Sequence, residues 1–116
     1  MANLLYAQGD ILLELVEDAA PTNLLANDAD GAVVLARGEL TGHRHAFYSS
    51  EVVLFRDEAL ARGVPPALYI GHIKISAPCA DLQHEEHATI TLPAGTYRVR
   101  RQQEWDSSGE ALLLWE

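Results

Sequence analysis

Five histidines stand in this 116-residue chain, and four of them fall into two tight pairs. The first pair is His43 and His45, in Gly42-His43-Arg44-His45. On a strand, side chains two positions apart project from the same face, so both imidazoles would enter one space. Neutral imidazole suits Zn, Fe, Ni and Cu, and two rings held side by side make half of a transition-metal site. The second pair is His84 and His87, in His84-Glu85-Glu86-His87. If that stretch turns, the two histidines converge. If it is extended, His84 shares a face with Glu86 while Glu85 shares the other with His87. Either geometry supplies at least one imidazole and one carboxylate to a common pocket.

The expectation is a divalent transition metal (Zn, Fe, Ni or Mn) held by His43, His45 and one or both of His84 and His87. Three histidines leave a coordination position open for water or substrate, as catalytic zinc sites require. Metal-bound water has its pKa pulled toward neutrality. Glu86 or Glu51 would then serve as fourth ligand or as general base beside that water. Four histidines would close the site and make it structural. Strand geometry, which separates His84 from His87, favours three plus a carboxylate. Two other readings stand beside this one: loop histidines that titrate at the surface, and a metal-free pocket using imidazole as acid, base or hydrogen-bonding group. His72, mid-strand among Ile70, Ile73 and Ile75, reads as a core or half-buried structural residue.

The remaining chemistry-bearing residues point to structure. Cys79 is the single cysteine, which excludes an intramolecular disulfide and a Cys-rich zinc motif; it reads as a small buried or half-buried hydrophobe. Arg98, Arg100 and Arg101 form the one basic cluster, expected as a solvated or salt-bridged strand face with Glu85, Glu86 and Glu104 as partners. Tyr97 and Trp105 read as core or wall. Gly38 and Gly42 lack a phosphate-loop pattern. Ser49-Ser50 and Ser107-Ser108 lack the context of a nucleophile elbow.

The elements that must carry these residues are strands, because apolar positions recur with period two far more often than 3.6. Strand candidates are 11–16, 32–36, 52–55, 68–75, 88–92, 96–103 and 111–115. Pro93-Ala94-Gly95 reads as a turn between two of them. Residues 17–30 read as a long loop with one helical turn at 23–26, and 57–62 as another helical turn before Gly63-Val64-Pro65-Pro66. Seven or eight short strands predict a single all-β domain over 1–116, a small β-barrel or β-sandwich.

Composition bounds the function. With 48% hydrophobic residues the chain can bury roughly two-thirds of its unfolded surface and needs no staple to fold. Eight basic against 17 acidic residues give a net charge of −9, which opposes a generic grip on nucleic acid or an anionic membrane. Charged residues at 22% and a mean hydropathy of −0.03 exclude a wholly disordered chain. No stretch reaches the roughly 18 apolar residues of a membrane span. The opening Met1-Ala2-Asn3-Leu4-Leu5-Tyr6 lacks the basic region of a signal peptide, so a cytoplasmic protein is expected.

The HxH, a following glutamate at Glu51 and the late Pro93-Ala94-Gly95 resemble the cupin family of small β-barrels, which implies a metal bound inside a barrel. The late histidine of that family falls on Arg98, so His84 or His87 would have to replace it. A wider resemblance is to short uncharacterised bacterial and phage proteins. It is carried by Gln8-Gly9-Asp10 before an apolar strand, and by Gly38-Glu39-Leu40-Thr41-Gly42-His43-Arg44-His45. His84 to His87 followed by Ile90-Thr91-Leu92-Pro93-Ala94-Gly95-Thr96-Tyr97-Arg98-Val99, and then Gln103-Glu104-Trp105, completes it. That resemblance implies no activity. The alternative to a metal-binding domain is a non-catalytic interaction or homo-oligomerisation module of a bacterial or phage operon, with 112–115 as an edge strand seeking a protein partner. A metal-free small-molecule binder is the third reading.

Overall fold

A computed structural model describes residues 4–38, 41–105 and 111–113, with the backbone alone at 103–105 and 111–113. The strands are β1 (Leu5–Gln8), β2 (Ile11–Leu15), β3 (Val33–Arg37), β4 (Arg44–Phe47), β5 (Val52–Phe55), β6 (Tyr69–Leu82), β7 (Ile90–Arg101), β8 (Gln103–Trp105) and β9 (Ala111–Leu113). One 3-10 turn, Glu58–Leu60, is the only helical element among the described residues. Among those residues no helix is long and apolar enough to cross a membrane.

Alternation builds the architecture. Ile11 and Leu13 of β2, Tyr97 and Val99 of β7, Ile73 and Ile75 of β6, and Val52 and Leu54 of β5 point to one side and are buried. Burying each such side chain is worth about 1.5–3 kcal/mol relative to leaving it in water. These strands form an antiparallel five-stranded sheet in the order β1-β2-β7-β6-β5. The β3–β4 ribbon packs over it, adding Val33, Leu35 and Phe47 to the same core. The result is an open sandwich: β1 and β5 remain the two ends of the large sheet, so the barrel alternative is not formed.

The outer face of the large sheet carries a polar row. Glu14, Arg98 and His72 are cross-strand neighbours on β2, β7 and β6, with the apolar Phe55 of β5 ending the row. Arg98 forms an ion pair with Glu14 and donates to the Ala61 carbonyl at 3.2 Å, while Arg101 meets Asp10 at 3.3 Å. Arg98 is thus salt-bridged on the outer face as expected, whereas Arg101, opposite Ile11, has the inner parity of Tyr97 and Val99. Glu85 and Glu86, expected as partners for them, instead face Arg44 and His43.

Several local expectations are corrected. Pro93-Ala94-Gly95 is not a turn: β7 runs through it, pairing Pro93 with Cys79 and Gly95 with Ile75 across an irregularity in β6. Proline fits where the ladder is already interrupted, because it has no N–H to lose. Residues 23–26 form no helical turn; Leu24 makes an isolated bridge to Phe55. The turn near 57–62 is present as the 3-10 element. Cys79 is exposed instead of buried. Of the expected strand 111–115, Ala111–Leu113 pairs with β8. Leu114, Trp115, Ser107-Ser108, Glu39 and Leu40 lie outside the described residues, as do the side chains of Glu104 and Trp105.

Candidate metal centre

The site is assembled by one pair of backbone hydrogen bonds. Ala46 of β4 donates to Gln83 at 3.0 Å and Gln83 donates back at 2.9 Å, an isolated antiparallel bridge just past the end of β6. Continuing that register sets His45 opposite His84, Arg44 opposite Glu85, and His43 opposite Glu86. The contacts follow it. The His45 and His84 rings are 4.3 Å apart between centroids, the Arg44 N–H donates to Glu85 Oε1 at 2.9 Å, and His43 Nδ1 lies 3.5 Å from Glu86 Oε1.

β4 aims His45 inward because the period of two that buries Phe47 also applies two residues earlier. His45 is fully buried at 0% exposure, and His43 is half-buried beside it. Gly42, at φ +72°, takes the left-handed conformation that lets the chain enter β4 just before His43. Residues 84–88 bend instead of extending, so His84 and His87 are not split between faces; their rings approach to 4.6 Å. His43–His84 and His45–His87 separations are 5.7 and 5.9 Å. Four imidazoles from two distant segments therefore share one small volume. Within it, one nitrogen each of His43 and His84 and an oxygen of Glu85 lie within 4.8 Å of one another. The Glu85 carboxyl is held below its usual pKa, chiefly by the Arg44 backbone N–H it accepts.

Two residues of the site were not foreseen as site residues: Gln8 and Asp10. They flank Gly9 in the two-residue turn joining β1 to β2, where Gly9 has φ +58° and Gln8 pairs with Ile11. A glycine at the first central position of such a hairpin turn is the arrangement that tolerates this backbone. Gln8 Nε2 donates to the carbonyls of Leu82 at 2.8 Å and Ala88 at 3.0 Å, closing both ends of the histidine-bearing loop. Its Oε1 lies 2.9 Å from His45 Nδ1. Since the amide hydrogens go to the two carbonyls, Oε1 is the acceptor and His45 carries its proton on Nδ1. Asp10, 3% exposed, places Oδ1 3.7 Å from His45 Nε2 and Oδ2 beside Arg101. The Gln-Gly-Asp motif was the available signal, but by itself it describes only a hairpin.

The other candidates lie elsewhere. Glu51 is exposed in the β4–β5 connection, and its carbonyl accepts the N–H and hydroxyl of Ser76 in mid-β6. No described contact joins it to a histidine. His72 is buried on the sheet's outer face, with Nδ1 2.8 Å from the Tyr69 hydroxyl.

Fold and site together define a small open β-sandwich with a histidine cluster at one end of its core. The chain belongs to the family described as a domain of unknown function, DUF8820, matched over residues 7–102. That span contains Gln8, Asp10 and all four clustered histidines. No curated protein and no solved structure matches the chain.

Proposed function

We propose that this chain binds one divalent transition metal ion, Zn, Fe, Ni or Mn, at the histidine cluster. The observation that carries the reading is the convergence of His43, His45, His84 and His87, with ring centroids 4.3–5.9 Å apart, in the register set by Ala46 and Gln83. Imidazole nitrogens grouped with carboxylate oxygens are the donor set of such ions. Glu86, exposed and near His43, is suited to act as a ligand or as general base toward a metal-bound water. A cavity of about 160 Å³ opens at His84 and Glu85 and shares Tyr48 and Gln83 with one of about 250 Å³ that reaches Cys79. Both are below the roughly 300–1,000 Å³ of drug-sized sites, so a substrate admitted there is small.

His84 joins the site with a constraint. Its Nδ1 accepts the N–H groups of Glu86 at 3.0 Å and His87 at 3.3 Å, so the neutral ring carries its proton on Nε2. Coordination at His84 requires those bonds or that tautomer to change, which makes the 84–87 turn the part expected to rearrange on loading.

The test is the metal content of purified untagged protein by elemental mass spectrometry, with the His43→Ala/His84→Ala double variant alongside. About one equivalent per chain, lost in the variant, is the expected result. No metal in either protein after reconstitution would overturn the reading.

A second reading, a homo-oligomerisation module, is favoured by one feature. β1 ends the large sheet and exposes Leu5 at 60% beside the exposed Leu4. Edge strands of that kind are templates for pairing with another copy. Light scattering of the wild type and Leu5→Lys tests it: a dimer dissociated by the substitution supports it, and a monomer in both cases rejects it.

A further inference from the structure

The turn that carries His84 and His87 also holds a carboxylate to which the reading above gives no role. We infer that Glu85 is the oxygen ligand of the metal, completing a two-histidine, one-carboxylate set with His43 and His84. The coordination positions left over take a small anionic donor from the adjoining cavity. The inference rests on the proposed metal site and deepens it by choosing its ligands and the class of molecule they admit.

The first observation is reach. One nitrogen of His43, one of His84 and one oxygen of Glu85 lie within 4.8 Å of one another. Around a zinc-like ion with bonds of about 2.0–2.2 Å, ligand atoms stand roughly 3–4 Å apart, so side-chain rotation is enough to close the trio on one ion. Ring orientation points the same way. An ion bound to imidazole lies near the ring plane, in line with the nitrogen lone pair. His43 and His84 stand at 90°, so their planes cross and one position can lie in both. His45 and His87 are stacked at 13° with centroids 5.9 Å apart, so one ion cannot lie in both planes, and at most one of these rings adds to the set. The backbone delivers the carboxylate. In an extended strand Glu85 would point away from His84, but the bend at 85–87 brings both toward His43.

Glu85 is also held in place. Its Oε1 accepts the Arg44 backbone N–H at 2.9 Å, in the register set by Ala46 and Gln83. A carboxylate offers about four lone-pair sites, so this bond leaves others for a cation. The same N–H is the chief cause of its lowered pKa, which keeps the group anionic at neutral pH. Two imidazoles and one carboxylate are the protein ligands of one class of catalytic zinc site and of non-heme ferrous sites, and both keep positions open. A divalent ion bound by two neutral rings and one carboxylate retains one net positive charge, which favours an anion as the further ligand. The cavity of about 160 Å³ lined by Arg44, Tyr48, Gln83, His84 and Glu85 gives that anion access and limits it to a few heavy atoms.

The experiment uses the full untagged chain, labelled with ¹³C and titrated with Zn²⁺, following the Glu85 and Glu86 carboxyl carbons by NMR. Co²⁺ affinity and visible absorption of wild type, Glu85→Gln and Glu86→Gln are measured in parallel, with sodium azide as the anionic probe. On Zn²⁺ loading the Glu85 signal should shift further than that of Glu86. Glu85→Gln should weaken Co²⁺ binding at least about tenfold and alter its absorption bands, while Glu86→Gln stays within about threefold. Azide should shift the wild-type Co²⁺ bands saturably. The wild-type titrations need no variant, so misfolding of Glu85→Gln would not spare the inference. Zn²⁺ loading that leaves the Glu85 carboxyl unmoved, or equal losses in the two variants, overturns the inference while the histidine site stands. Co²⁺ bands indifferent to excess azide overturn the open position. A wild type that binds neither ion overturns the site and the inference together.

Discussion

Two histidines in this protein are almost wholly buried, His45 at 0% and His72 at 1% exposure, and each has Nδ1 within hydrogen-bond distance of a polar side chain, Gln8 or Tyr69. Their surroundings are opposite in character. His72 meets the Tyr69 hydroxyl, which also donates to the Asp57 carbonyl, and lies next to Arg98 across the sheet, with Arg56 stacked 5.1 Å over the Tyr69 ring. Burial pushes its pKa down, and the Arg98 charge pushes it further the same way. His45 instead faces Asp10 and the rings of His84 and His87. Burial of an imidazole therefore does not mark a site; the charge and donor character of the groups around it do.

The largest effect should come from removing the two rings in turn. His45→Ala is expected to weaken Zn²⁺ binding by more than about 100-fold, beyond the 10–100-fold typical of outer-shell losses, while His72→Gln stays within about twofold. Chelator competition measures both, and equal effects would erase the distinction between the two niches.

The hydrogen-bond partners give the next contrast. Tyr69→Phe removes the hydroxyl that meets His72 Nδ1 and the Asp57 backbone, and should cost about 1–3 kcal/mol in urea unfolding without changing metal affinity. Gln8→Leu should cost stability in the same range by stranding the Leu82 and Ala88 carbonyls, but should weaken metal binding as well. A metal effect from Tyr69→Phe would join what is here separated.

The pH dependence of His72 is smaller. Its folded pKa lies below the unfolded value of about 6.5, so the unfolded chain binds the extra proton first. Stability contributed by the neutral ring is complete above pH 6.5 and declines as pH falls toward the folded pKa, by at most about 1.4 kcal/mol per pH unit. The charged groups acting on it are Arg98, Asp57 and Arg62. Metal-free protein should unfold more readily at pH 5.5 than at 7.5, and His72→Gln should lose less over that interval. An unchanged loss in His72→Gln would show that its burial is not coupled to protonation. The smallest expected change is local: on loading, amide exchange at Glu86 and His87 should quicken as their bonds to His84 Nδ1 loosen, and unaltered exchange would leave that turn out of the coordination.

Much of this was legible in the sequence because alternation is a local signal. The run 52–55 reads as β5 at both ends, and His43 and His45 were expected on one face because side chains two positions apart on a strand project together. What could not be read depends on long-range register. Nothing local says that Gln83 pairs with Ala46, yet that bridge turns two separate histidine pairs into one cluster. Gln8 reaches His45, 37 residues away, only because β1 and β2 form an edge hairpin beside the end of β7. Pro93 and Gly95 carry strong turn signals that were overridden because β6 supplies an irregular partner for them. Glu51 follows the HxH closely in sequence, but its connection runs to Ser76, on a different part of β6 from the loop that bears His84.

The central claim is the proposed one, that the histidine cluster holds a metal ion. Crystals of the untagged, Zn²⁺-reconstituted protein, with diffraction recorded on either side of the zinc absorption edge, test it most directly. The account predicts an anomalous peak in the cluster roughly 2.0–2.1 Å from nitrogens of at least two of the four histidines. Crystals of the reconstituted protein with no peak in the cluster would contradict it.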